Sequence, residues 1–232
     1  MPDRGLLDLN SVGPTELAPT PEAFVFERAR WLQVTFEVAR AAALRRLPPD
    51  VTRPIPCYGR LVVVDGSLGT KRVGLAALLA GGRFRMMPRN VLVEAVVDGD
   101  ASAMRGLLGA GVSEGRVRLE RSGQRAAAEV GRGGAGLATA TLPGLYAIEP
   151  TMLRWDAWLG VGERGGATVI SESVVTPEFD TAYLSKDATF DPVRALSPES
   201  PWRQFRNLTT ISACYAEGTF VLRGPDVQQP WT

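Results

Sequence analysis

From Leu32 to Val38 the chain alternates without a fault, with Leu32, Val34, Phe36 and Val38 on one side and Gln33, Thr35 and Glu37 on the other. A period of two puts successive side chains on opposite faces of a half-buried strand, whereas a helix would scatter them around its circumference. Strand-like runs recur at 59–65, 73–80, 90–98, 116–121, 124–130 and 136–142, with glycine in each gap from residue 66 onward, and longer candidates lie at 151–161, 167–175 and 208–222. Two helices fit between them. Ala39–Leu47 is stopped by Pro48-Pro49, and Ala101–Leu108 has Asp100 placed to cap it and Gly109 to end it. The expected fold is α+β and mainly antiparallel, a large closed β-barrel with a few short helices. Residues 1–22, rich in Pro, Gly and Thr without periodicity, read as an extended arm, and 23–232 as one barrel domain.

Composition narrows the chemistry. The net charge is +1 over 232 residues, with both signs spread along the chain, so neither nucleic acid nor an anionic membrane is an expected partner. No apolar run approaches a membrane span, and MPDRGLLDLNSVG lacks the basic and apolar regions of a secretion signal, so a cytoplasmic location is expected. Cys57 and Cys214 sit in or beside apolar stretches and read as reduced, buried thiols. Histidine is absent. That removes the commonest neutral-pH base and the imidazole ligands of most catalytic zinc sites, so neither a metal nor a cofactor is expected. Lys71 and Lys186 are the only lysines.

The glycine-rich motifs do not read as phosphate loops. GRGGAG at 131–136 joins two strand candidates, so it lacks the helix N-terminus that holds a phosphate and reads as a hairpin turn. GSLGTKR at 66–72 likewise leads into a strand, with Lys71 as a solvated turn residue. Glu94 and Glu172 each interrupt an apolar run. Facing the interior, either would have its charged form disfavoured and become useful for proton transfer, whereas facing outward it would be a wetted surface residue. Arg28 and Arg30 share the strand face of Leu32 and Val34, where an arginine could grip a substrate oxygen if that face lines a cavity. Trp31, Tyr146, Trp155, Trp158 and Phe179 read either as core or as the wall of an apolar pocket.

The order of segments AFVFERARWLQVTFEVARAAALRRLPP, GRLVVVDGSLG, GLATATL, VISESVVTPEFDTAYLSKDATFDPV and NLTTISACYAEGTFVLRG, spanning 23–223, resembles the acetoacetate decarboxylase family. The resemblance implies a cone-like barrel with the active site inside, in a homo-oligomer. It also implies a Schiff base on one lysine, activated by an adjacent lysine. Those lysines would fall within RGLLGAGVSEGR, 105–116, near Leu107 to Ala110, and this sequence has none there. The family's turn glutamate falls near Thr70–Arg72, where the chain offers cations, and its arginine falls beside Arg28 or Arg30.

A kept scaffold without its covalent catalyst leaves three activities. Preferred is a cofactor-free cyclase or isomerase, such as a pericyclase of the Diels-Alderase kind, that folds an apolar, polyketide-derived substrate inside the barrel. Confinement to a reactive geometry can contribute about 7–11 kcal/mol at the extreme. In this reading Arg30 orients an oxygen, Glu94 donates a proton or hydrogen bond, and Trp31, Arg28, Tyr146, Trp155 and Leu107 bind the substrate. The alternatives are a decarboxylase, lyase or hydratase of keto acids using Lys71, and a non-catalytic binding protein for an apolar metabolite.

Overall fold

The computed structural model describes residues 23–109, 111–164 and 167–224. The proposed arm and Ala110 lie outside the described residues. Thirteen strands and three short helices are assigned among the described residues. The first sheet has nine strands. In spatial order its main path is β10 (Trp158–Arg164), β11 (Ala167–Ser185), β13 (Thr209–Arg223), β1 (Ala23–Glu37), β2 (Tyr58–Leu68), β3 (Lys71–Phe84), β4 (Met87–Asp98) and β5 (Val112–Glu114), with β9 (Tyr146–Ile148) paired to β11. A parallel pairing of β10 with β4, Trp158 to Asn90 and Leu159 to Val91, joins seven of these strands into a ring.

Most pairings are antiparallel, as expected, and the closed barrel is corrected at its closing edge. The sheet is mixed, because β4 pairs in parallel with both β10 and β5, and those two strands share its free edge. Closure therefore rests on two residue pairs, and the result is a ring with a narrow seam.

A second, antiparallel sheet of β12 (Thr189–Pro192), β8 (Ala135–Leu142), β7 (Arg125–Arg132) and β6 (Arg116–Ser122) covers part of the ring's outer face. Leu32, Val34, Phe36, Leu61 and Val63 meet Val117, Leu119, Ala128 and Phe190 there, with the Phe36 and Phe190 rings 4.7 Å apart. A separate cluster fills the inside of the ring, drawing Trp31, Val64, Leu75, Val97, Trp158, Phe179 and Phe220 from all seven ring strands. Each fully buried large apolar side chain contributes roughly 1.5–3 kcal/mol over exposure, so the two clusters hold both faces of β1 and β2.

The helices are α1 (Arg40–Leu44), α2 (Ala101–Leu108) and α3 (Pro201–Gln204). The carboxylate of Asp100 accepts from Ser102 N and Ala103 N, and Gly109 leaves α2 at φ 91°, as the sequence implied. GRGGAG forms the β7–β8 hairpin turn. Residues 151–161 are not one strand. Pro150–Met152 form a 3-10 turn, residues 153–157 are irregular, and β10 starts only at Trp158.

Candidate functional site

Parity along β1 decides which side chains look into the ring. A bulge between Phe26 and Ala29, with Arg28 at φ 49°, inserts one residue. Phe24 and Phe26 before it and Ala29 and Trp31 after it therefore all join the interior cluster. Gln33 and Thr35 continue on that side, and both are buried.

They form part of a pocket of about 430 Å³ at one mouth of the ring. One wall comes from Gln33 and Thr35 of β1, Tyr58 and Arg60 of β2, and Cys214 of β13; Leu153, Arg154 and Trp155 cross opposite. Size and mixed lining suit a small, mainly apolar ligand with a few fixed polar contacts. Gly81 of β3 makes room for the wall, since a Cβ there would stand 2.1 Å from the Tyr58 ring.

Arg60 organises the polar part. Its Nη1 donates to Asp156 Oδ2 at 2.9 Å and its Nε to Thr35 Oγ1 at 3.2 Å, and its guanidinium lies 5.5 Å from the Tyr58 ring centroid. A guanidinium carries five N–H groups, so others remain for a substrate oxygen. Burial pushes the Tyr58 hydroxyl above its ordinary pKa. Burial also pushes the Cys214 thiol up to about 12, which keeps the pocket's sulfur neutral and poorly nucleophilic at pH 7.

Of the sequence-derived candidates, only Trp155 lines this pocket. Trp31 lies behind it, their rings edge to face at 4.7 Å, and Phe179 completes the stack at 5.3 Å from Trp155. Trp158 belongs to the same interior cluster. Leu107 is buried in that cluster too, without reaching the pocket. The stretch that the family resemblance equips with an amine is thus apolar core at Leu107 and Leu108.

Glu94 is turned the other way. A bulge opposite Leu78 and Leu79 leaves Val93 unpaired, so Leu92 and Ala95 face inward while Glu94 ion-pairs with Arg132 of the β7–β8 hairpin. Glu172 pairs with Arg89 at 2.7 Å. Arg30 pairs with Asp65 on the face of Leu32, which packs against the second sheet, and Arg28 is exposed at the bulge. Tyr146 is exposed, 5.8 Å from the Lys186 ammonium. Lys71 is exposed where β2 turns into β3, opposite Leu68, which is eight residues beyond Arg60 and about 26 Å along the strand at ~3.3 Å per residue. None of these six lines the pocket.

Gln33, Thr35, Tyr58, Arg60, Asp156 and Cys214 escaped the sequence reading. The available signal was Arg60 at the head of LVVV, a charge beside a run that is apolar on both faces. Among the described residues, no cluster of three or more acidic or sulfur side chains is placed to hold a metal, and no helix is long and apolar enough to cross a membrane.

No protein-family model matches the sequence, and no curated protein does. Solved structures do match. Acetoacetate decarboxylase from Legionella pneumophila superposes with a TM-score of 0.74 at 11% identity, covering 97% of this chain and 96% of that one. The enduracididine biosynthesis enzyme MppR, complexed with pyruvate, gives 0.69 at 17% identity over 91% of each chain. An acetoacetate decarboxylase-like enzyme from Sphingomonas wittichii RW1 gives 0.68 at 15% identity, over 93% of this chain and 96% of that one. The chain therefore has the acetoacetate decarboxylase-like fold, one whose matched representatives are enzymes.

Proposed function

We propose that the chain is an enzyme that holds an apolar small molecule at the ring mouth and isomerises or cyclises it without a covalent amine adduct. The observation that carries this reading is the pocket wall itself. It offers Arg60, Thr35 and Gln33 to hold an oxygen, flanked by apolar surface, and neither lysine lines it. An intramolecular ring closure keeps every atom of the substrate and requires no external nucleophile or oxidant. The pocket's part is to hold the chain folded with its ends in contact while Arg60 stabilises negative charge developing on a carbonyl oxygen. Asp156 fixes the guanidinium in place, and an apolar, polyketide-type precursor fits both features. The oxygen-orienting and hydrogen-bonding roles expected of Arg30 and Glu94 pass to Arg60, because both of those side chains are engaged in ion pairs on other faces.

The test is turnover of a linear unsaturated polyketone, followed by chromatography and mass spectrometry. Expected is a product of unchanged mass, formed by the wild type and lost in Arg60→Met. Saturable binding with no product would favour a binding protein instead. A borohydride-trapped keto-acid adduct on Lys71 would move the reading to amine chemistry.

A further inference from the structure

Residues 149–157 cross the pocket as a strap. Its ends are fixed by backbone hydrogen bonds, through β9 pairing Ile148 with Ala182 and through Asn90 N donating to Ala157 O. Between them its backbone bonds, Met152 N to Glu149 O and Leu153 N to Pro150 O, stay within the strap. The middle is held by side chains: Asp156 latched to Arg60, Trp155 inserted against Trp31 and Phe179, and Leu153 packed on the edge of the interior cluster.

Behind Trp155 the structure leaves a donor unused. Trp31 is 1% exposed and its Nε1 has no hydrogen-bond partner. A buried N–H without an acceptor costs about 1–3 kcal/mol, and buried indoles ordinarily find one. Trp202 Nε1 is also unpartnered, but it sits in the core between the sheets, whereas Trp31 is separated from the pocket by one ring.

We infer that the strap is a gate: Trp155 occupies the place of the ligand's flat ring in the closed state, and on opening a ligand oxygen accepts a hydrogen bond from Trp31 Nε1. This rests on the pocket assigned above and deepens it by naming the ligand class. A group that replaces an indole between Trp31 and Phe179 is itself planar and aromatic or conjugated, with a carbonyl oxygen on its inward edge. The Asp156–Arg60 pair sets how often the gate opens.

The test uses two probes of similar shape, 2-acetonaphthone, which carries the acceptor, and 2-ethylnaphthalene, which does not. Binding is measured to the wild type, Asp156→Asn, Trp155→Ala and Trp31→Phe. Asp156→Asn should bind the ketone more tightly than wild type, and Trp155→Ala more tightly again. Each should prefer the ketone by about fivefold, the worth of one hydrogen bond, and Trp31→Phe should lower the preference by about that factor. The Trp31 indole N–H resonance, assigned by its loss in Trp31→Phe, should move downfield with the ketone alone. Equal affinities for the two probes, or a stationary Trp31 resonance, overturn the subsite. Affinity unchanged by Asp156→Asn overturns the gate. If Trp155→Ala does not fold, Asp156→Asn decides both points without touching the aromatic core. Failure of turnover with these shifts intact would remove the proposed reaction and leave the gate standing.

Discussion

Asp65→Asn is the sharpest probe of what holds the ring to the second sheet. Asp65 lies in a cross-strand row with Glu217, Arg30 and Gly74, and its side chain is only 2% exposed. Arg30 pairs with one carboxylate oxygen and Arg72 Nε with the other at 2.8 Å; Arg72 also donates to Val117 O of β6 at 3.1 Å. Asparagine keeps the volume and removes the charge, leaving two arginines facing a neutral group. Breaking a buried ion pair costs about 3–5 kcal/mol when the orphaned charge has no water. Here Arg30 is 40% and Arg72 55% exposed, so both rehydrate in part, and the expected loss falls to about 1.5–3 kcal/mol. For a chain of this size that lowers Tm by roughly 3–12 °C. Urea titration followed by far-ultraviolet circular dichroism measures it. Asp98→Asn is the matched control: Asp98 meets Arg72 at 3.5 Å, is 35% exposed, and should cost less than about 1 kcal/mol. Equal losses in the two variants, or a change below about 0.5 kcal/mol for Asp65→Asn, would refute the argument that burial makes this carboxylate matter.

Three further outcomes are expected. Cys214 has its folded pKa raised from 9.0 to about 12, so above pH 9 the unfolded chain loses a proton that the folded chain keeps; stability then falls with rising pH, the slope approaching about 1.4 kcal/mol per unit above pH 10, and Cys214→Ala should make the decline between pH 9 and 11 shallower. Gly81→Ala drives a methyl into the Tyr58 ring, which should cost about 1–3 kcal/mol and weaken 2-acetonaphthone binding, read by chemical denaturation and titration. Arg60→Met leaves Asp156 unpaired at the pocket edge, so product formation should disappear while Tm falls by only a few degrees; retained turnover removes Arg60 from the proposed chemistry.

Alternation revealed the strands because it is a local property of the chain, and β1 shows where that reading stops. A period of two says that a strand has two faces. It does not say which face lines a ring and which meets a second sheet. The sequence left open whether Leu32, Val34 and Phe36 face a cavity; they pack outward on β6 to β8 and β12, while the polar set Gln33 and Thr35 points inward. Both faces of β1 are buried, a state that sequence polarity reports poorly. The bulges compound the error. One unpaired residue at Val93 is enough to turn Glu94 out of the ring, and bulges are set by long-range pairing that no local window contains. The strap escaped for a related reason: Leu153, Trp155 and Ala157 alternate like a strand, but of the three only Ala157 is bonded to a neighbouring strand, its carbonyl accepting from Asn90 N of β4.

The missing amine and the pocket chemistry bear on each other. A lysine nucleophile at neutral pH needs a dry site and a second cation to lower its pKa. Here the corresponding part of the interior is dry at Leu107 and Leu108 and carries no amine at either position, while the ring's charges are gathered elsewhere. Arg30, Asp65 and Arg72 serve the seam between the sheets, and Arg132 with Glu94 ties the β7–β8 hairpin to β4. That leaves Arg60 and Asp156 as the ion pair joining the ring wall to the strap, bridging the mouth from opposite sides. An arginine stays protonated at any ordinary pH, so it cannot act as the nucleophile and instead holds or stabilises an oxygen. The Cys214 thiol beside it is held neutral by burial, so the proposed reaction assigns neither group a covalent role.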